Sequence, residues 1–267
     1  MSDAPTVEHS RMHERTQRIR WREWGPYVSD RQWGTVREDY SATGEAWDYF
    51  PFDISGKRVY RWGEDGIFGI SDRNGHLCFA LTMWNGNDDR LKERLFGLSG
   101  PQGNHGEDVK EYYYYLDNVP SHAYMRALYK YPHAAFPYQQ LLDENRKRSR
   151  HDPEYELIDT GIFDGDAYFD VEVEYAKAAP DDLLVRVNAT NRGTAAHTLV
   201  LAPTLWFRNE WCWREGIERP SIEQRHHRHG VHTALAHHAN LGDFWFYARD
   251  AQTLLFTENE TNFEALY

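Results

Sequence analysis

Gly66-Ile-Phe-Gly-Ile-Ser-Asp72-Arg-Asn74-Gly75-His76-Leu-Cys-Phe-Ala-Leu-Thr-Met-Trp84 decides the fold class. Two apolar runs of strand length flank Asn-Gly, the strongest short hairpin signal. Working outward, Val109–Leu116 and His122–Tyr131 read as a second strand pair. Pro137 to Arg150 reads as a short helix, with proline in its first turn and basic residues late. Beyond it the sequence is nearly all strand: Tyr155–Asp159, Tyr168–Tyr175, Leu183–Ala189, Thr198–Trp206, Val231–His237, Phe244–Ala248 and Thr253–Phe256. Asp181-Asp182 and Asn191-Arg-Gly193 supply turns. About a dozen short strands without βαβ alternation predict a mainly β protein, a large antiparallel β-super-sandwich with a few short helices. Residues 8–24 are helix-compatible, with Glu14 and Arg18 four apart, and 31–62 look irregular. The organisation is therefore a lead-in over 1–30 and one sandwich domain over 31–267. The closing Glu258–Tyr267 segment offers no capping element, and reads either as a frayed tail or as the opening of a further segment.

Composition narrows the function. The 267 residues are 40% hydrophobic and 15% aromatic, with a formal net charge of −12. An acidic chain is a poor partner for nucleic acid or for an anionic membrane surface. No apolar run approaches the length of a membrane span, and the polar N-terminus has no signal-peptide core. Two cysteines, Cys78 and Cys212, are too few for a disulfide framework, so the expected compartment is the cytoplasm. Walker, G-x-G-x-x-G and nucleophile-elbow motifs are missing, and Gly97-Leu-Ser99-Gly100 lacks the elbow's spacing, so no cofactor is expected.

Residues 24–66 carry the chemistry. Aromatics there alternate with arginines, carboxylates and glycines rather than with core periodicity. Rings beside directed hydrogen-bonding groups suit a sugar, whose C–H faces stack while its hydroxyls are bonded. Tyr40, Trp47, Tyr49, Arg61, Trp62 and Asp65 are the candidate sugar contacts. The plainer reading is an irregular segment pinned by its own aromatics. Glycoside cleavage needs two carboxyl groups facing across a sugar, which spacing in sequence does not single out. His226-His227-Arg228-His229, His232, His237 and His238 form a cluster without cysteines or helical ligand spacing, and read as a solvated loop entering a strand. Asp164-Gly-Asp166 with Asp170 lacks the closing Glu of a calcium loop and reads as a turn. Asn104-His105-Gly106-Glu107-Asp108 suits acid–base work or a turn. Tyr112–Tyr115 place rings on both faces of a sheet.

Trp24-Gly-Pro-Tyr27, Arg31–Tyr40, Trp47-Asp-Tyr-Phe-Pro51 and Tyr60-Arg-Trp-Gly-Glu-Asp-Gly66 resemble the N-terminal portion of bacterial proteins related to glycoside hydrolase family 63, the mannosyl-oligosaccharide-glucosidase-like enzymes. The resemblance continues through Leu91–Leu98, Gly103–Tyr113, Arg148–Leu157, Pro203–Asn209 and Thr257–Asn262, and covers nearly all of residues 10–267. It is poorest over 225–238. It implies a β-super-sandwich followed in the same polypeptide by an (α/α)6 barrel that carries the acid and base of an inverting mechanism. No position here matches the catalytic motif, so no catalytic residue is assigned. The expected role is to buttress the barrel and lend a loop to its oligosaccharide site. A stand-alone carbohydrate-binding module and a purely structural interaction domain are the alternatives.

Overall fold

A computed structural model describes residues 5–13, 20–25, 45–61, 65–106 and 108–267. The first hairpin is β1 (Ile67–Ser71) and β2 (Leu77–Trp84), antiparallel with Ser71 opposite Cys78. Its turn closes as the sequence predicts. Asp72 accepts the amides of Asn74 and Leu77 at 2.8 Å each, and Gly75 takes the left-handed φ of 68° that the turn requires. Two short strands follow, β3 (Gly97–Leu98) and β4 (Asp108–Val109). Next come β5 (Tyr113–Asn118), β6 (Tyr124–Pro132), β7 (Tyr168–Ala179) and β8 (Asp182–Asn191), a four-stranded antiparallel sheet in that order. β9 (Val200–Phe207) returns to pair with β2, giving the order β1-β2-β9. β10 (Ser221–Arg228), β11 (Val231–His238) and β12 (Gly242–Arg249) form a third sheet.

The core lies between the four-stranded sheet and the other two. Met125, Ala127, Tyr129 and Tyr131 of β6 and Phe169, Val171, Val173 and Tyr175 of β7 meet Ile67, Ile70, Phe79, Leu81 and Met83, with Leu205 and Phe246 packed at the edge. Along β6, buried and half-buried residues alternate with the period of a one-sided strand. The outward residues carry an ion-pair ladder across the sheet, in which Lys130 and Arg192 meet Asp170 and Arg126 meets Glu172. β2 differs, being buried on both faces along nearly its whole length. Cys78 and Ala80 face Trp206 and Tyr60 on the side away from the main core. That explains its apolar run, interrupted only at Thr82, which in antiparallel sheets is the exception.

Some expectations fail for local reasons. Tyr155–Asp159 is no strand. Its end winds into a 3-10 turn over Leu157–Thr160, where Asp159 accepts the Glu156 amide at 2.9 Å. Thr253–Phe256 carries no ladder, because Asp250 at φ 59° turns the chain away at the end of β12. The histidine-rich stretch is a hairpin rather than a loop, with its register shifted between Gln224 and His227, and is closed by His229 and Gly230, both at positive φ. The N-terminal helix covers Val7–His13, and Trp21–Glu23 forms a separate 3-10 turn. The turn is held by Lys177 of β7, whose buried ammonium donates to the carbonyls of Trp21 and Trp24 at 2.6 Å each. Burial lowers that lysine's pKa to about 8. Among the described residues, no helix is long and apolar enough to cross a membrane.

Stacked imidazoles sit where elements join. His133 at the end of β6 stacks on His197 at 4.0 Å, and His238 at the end of β11 stacks on His76 at 4.5 Å. Burial first, and the neighbouring imidazole second, holds the pKa of both His133 and His238 below the usual range. The unfolded chain therefore binds these protons more readily than the folded one. Stability should be full above about pH 6.5 and should fall as pH drops through that value. Exposed His237, raised by Asp243, opposes this only weakly. Denaturant midpoints should be lower at pH 5.5 than at 7.5, with the difference reduced in His133→Phe. Equal midpoints would contradict the assignment.

Candidate functional site

The described part of the candidate segment, 45–61 with Asp65, packs on the edge of the sandwich through two helical turns, Ala46–Tyr49 and Phe52–Lys57. What holds it is charge inside the protein. Arg94 is fully buried and pairs with equally buried Asp65. Its guanidinium donates to the Ser55 carbonyl and lies 4.6 Å from the Phe50 ring centroid. The neighbouring Glu93 accepts the Tyr60 hydroxyl, and its carbonyl accepts the Gly66 amide. One residue earlier, Lys92 points to the other side of the chain. Its ammonium meets Glu111 at 2.5 Å and lies over Phe96 and Phe136 at 4.1 and 4.7 Å. Glu111 also accepts the Tyr129 hydroxyl and the Phe96 amide. Asp88 continues the series, accepting the Tyr131 hydroxyl at 2.6 Å and the Phe136 amide at 2.7 Å. Burial, reinforced by the adjacent carboxylates, drives the Tyr60, Tyr129 and Tyr131 phenols well above their ordinary pKa, so each stays a donor.

The sequence candidates divide on this geometry. Trp47 is inside, 4% exposed, with its indole N–H directed at the Leu95 carbonyl 3.5 Å away. A Cβ on Gly97 would collide with that indole and with the Asp108 carbonyl, which accounts for the glycine. Asp65 is committed to Arg94. Trp47 and Asp65 are therefore anchors, the plainer of the two roles their sequence allows. Tyr49 remains at the surface, 37% exposed, with Arg58 5.3 Å from its ring. Arg61 lies 4.2 Å above the ring of Trp213. Tyr40 and Trp62 lie outside the described residues.

Trp213 escaped sequence reasoning, although its neighbourhood was signalled. Pro203–Asn209 and Thr257–Asn262, far apart in the chain, meet at Tyr60. Asn259, at φ 50°, donates to the carbonyls of Tyr60 and Phe207 at 3.1 and 2.8 Å and accepts the Tyr60 amide at 2.7 Å. Buried Asn209 donates to the Asn259 carbonyl at 2.7 Å and accepts the Cys212 amide at 3.2 Å. These two side chains hold out a turn bearing Trp211, Cys212 and Trp213. Trp211 and Cys212 both donate to Glu260, at 3.0 Å each, and Arg219 pairs with Glu258 at 2.7 Å. The result is a half-exposed rim of indoles, guanidiniums and carboxylates, the mixture that stacks and hydrogen-bonds polyols.

The remaining candidates have structural partners. Lys110 is fully buried among Asp108, Glu154 and Glu156 at 3.1, 2.5 and 3.3 Å, so an ammonium fills the centre of this acidic group. Burial raises the Glu156 carboxyl, and Lys110 opposes the rise. His105 hydrogen-bonds the Asp152 carbonyl at 2.7 Å, and Asn104 donates to the Ser149 and Asp152 carbonyls, as a turn would; Glu107 lies outside the described residues. Cys78 is buried and Cys212 exposed, and the two are not joined in a disulfide. Of the tyrosine run, Tyr113 packs against the core and meets Tyr115 edge-to-face, while Tyr114 is 43% exposed.

No family model matches the chain, and no solved structure matches it. It is 44% identical over 295 aligned positions to the uncharacterized protein YMR196W of Saccharomyces cerevisiae. The match takes in 98% of this chain and 27% of the yeast one, so the chain spans about a quarter of the length of the curated relative it matches.

Removing half of a buried ion pair strands the other charge. Asp65→Ala should cost about 3–5 kcal/mol, and adding Arg94→Met should restore much of that loss. Trp47→Ala should cost about 3–5 kcal/mol as a core truncation. Urea denaturation reads all three. A Trp47→Ala protein as stable as the parent would return that ring to the surface role.

Proposed function

We propose that this chain is the N-terminal, non-catalytic β-domain of an inverting glycoside hydrolase of the family 63 type, acting on α-glucosides or oligosaccharides. One observation carries the reading. Segments that bear the resemblance, Tyr60-Arg61, Pro203–Asn209 and Thr257–Asn262, converge through Asn209 and Asn259 on one rim that presents Arg61 and Trp213. Of the candidates first read from sequence, Tyr49 and Arg61 keep the sugar-facing role, while Trp47 and Asp65 support them from inside.

The chemistry belongs to a following (α/α)6 barrel of the same polypeptide. In an inverting mechanism one carboxylic acid protonates the glycosidic oxygen and a second carboxylate activates water on the opposite face. The interior carboxylates here suit neither task. Asp65, Glu93, Glu111 and Asp88 are occupied by cations, phenols and amides. The domain's contribution is to brace the barrel and shape its mouth, and the recurrence of nearly the whole chain within a much longer yeast protein fits that division of labour.

The 267-residue chain alone should not turn over a nitrophenyl α-glucoside, whereas a longer protein that contains it should, releasing the β-anomer first by NMR. In that longer protein, Arg61→Ala and Trp213→Ala should each lower kcat/KM about 10- to 100-fold with an unchanged melting temperature, the scale of one lost ring contact. Turnover by the short chain above a heat-killed control would contradict the proposal.

A further inference from the structure

Two imidazoles meet at the end of the sandwich where the chain crosses from one sheet to the other. β8 belongs to the four-stranded sheet and β9 to the β1-β2-β9 sheet, and residues 192–199 join them. His197 of this crossover stacks on His133, just past β6, with centroids 4.0 Å apart and planes 22° from parallel. His133 is 4% exposed, and its backbone is held on both sides. Its amide donates to the Ala167 carbonyl at 2.9 Å, and its carbonyl accepts from the Asn87 side chain at 2.6 Å. Its Nε2 is buried with no hydrogen-bond partner among the described residues. Asn191, the last residue of β8, accepts a hydrogen bond from the other ring nitrogen, Nδ1. The same side chain accepts the Gly193 amide at 2.9 Å and donates to the Ala195 carbonyl at 2.7 Å, and so sets the course of the crossover that carries His197. A Cβ on Gly193 would stand 2.9 Å from the His133 ring, so the glycine lets the crossover close on it.

A buried nitrogen without a partner is costly. What can satisfy this one follows from its protonation. Nδ1 carries the hydrogen that it gives to Asn191, so in the neutral ring Nε2 is a bare lone pair. Burial first, and His197 second, favour that neutral ring. A lone pair calls for a Lewis acid or a hydrogen-bond donor, and it repels an anion. The group facing it is another imidazole, which in its neutral form brings a lone pair of its own. The flanking cations, Lys130 and Arg192, both meet Asp170, and Asp166 adds a second carboxylate beside Arg192. Register puts Lys130 and Asp170 on the face of the sheet opposite Phe169, the ring that His133 touches. A hydrogen bond from Nδ1 to a side-chain oxygen, with Nε2 left free, is the arrangement that orients a histidine as a metal ligand. His197 is exposed, and the terminal torsion of its side chain is soft. A turn of that ring lets the two residues share an ion about 2 Å from each ligand nitrogen.

We propose that His133 and His197 form a binding site for a divalent transition-metal ion of the zinc class, positioned by Asn191 and completed by water. Bound there, the ion clasps the β8–β9 crossover to the end of β6 and ties the two sheets together at this end. The site is independent of the sugar rim and of the family reading, so either can fail while the other holds.

The test is calorimetric titration of the chelator-treated 267-residue chain with zinc chloride, accompanied by melting curves and by nitrogen NMR of the histidine rings. Saturable binding is expected, with the melting temperature raised by zinc and coordination reported at His133 Nε2. His197→Ala, at an exposed position, should weaken binding about tenfold or more. Asn191→Ala leaves both ligands in place and should weaken it about 10- to 100-fold, the scale of a lost orienting hydrogen bond. His226→Ala, His227→Ala and His229→Ala together remove the histidine-rich hairpin as a competing chelator, and should leave that binding unchanged. If Asn191→Ala melts early, His197→Ala and the ring signals of the parent protein decide instead. The proposal is overturned if zinc does not bind up to millimolar concentration, or if binding keeps its full strength in His197→Ala. It is equally overturned if the hairpin substitutions abolish binding, or if the ring signals report coordination only at other histidines.

Discussion

The contact between Arg94 and Asp65, both without access to water, is the constraint on which the rest of this architecture depends. Burying a guanidinium is tolerable only when its charge and donors are matched. Here the matching groups come from a part of the chain that forms no sheet: the carboxylate of Asp65, the carbonyl of Ser55 and the ring of Phe50. Residues 45–61 and Asp65 are thus bound to the sandwich by the need to keep Arg94 satisfied. Once it lies there, Tyr60 covers the second face of β2, and Asn259 and Asn209 can close on the Tyr60 backbone. Lys92 and Glu111 repeat the device two residues earlier in the chain, tying it to β6 through Tyr129.

The β class was legible because turn chemistry and apolar runs agree. Asp72 to Gly75 forms the turn its residues specify, and the outward charges of β6 and β7 leave a clean alternation. Pairing order was less accessible. β9 returns across more than a hundred residues to lie beside β2, a long-range choice that no local pattern encodes. Short strand-like runs failed where the backbone had a better local option, as at Glu156–Thr160, or no neighbouring edge, as at Thr253–Phe256.

The sequence marked 45–65 as unusual, but not which of its residues lie inside. Aromatics and charges mixed over 45–65 signal either a ligand surface or a buried polar network, and composition does not separate them. The separation lies in partners from elsewhere in the chain. Arg94 draws Asp65 inside, Gly97 makes room for Trp47, and Trp213 meets Arg61. Leu91–Leu98, with three consecutive charges set in an apolar run, held the clue. Charges that cannot all reach water along a covered strand must find partners inside.

Hydrogen exchange tests this account most directly. If the buried pairs make 45–61 part of the cooperative core, the amides of Tyr60 and Gly66, bonded to Asn259 and Glu93, should exchange only with global unfolding, at the same free energy as amides of β2 and β6. Exchange of Tyr60 and Gly66 through a low-energy local opening, while β2 and β6 stay protected, would contradict the claim that this network holds the structure together.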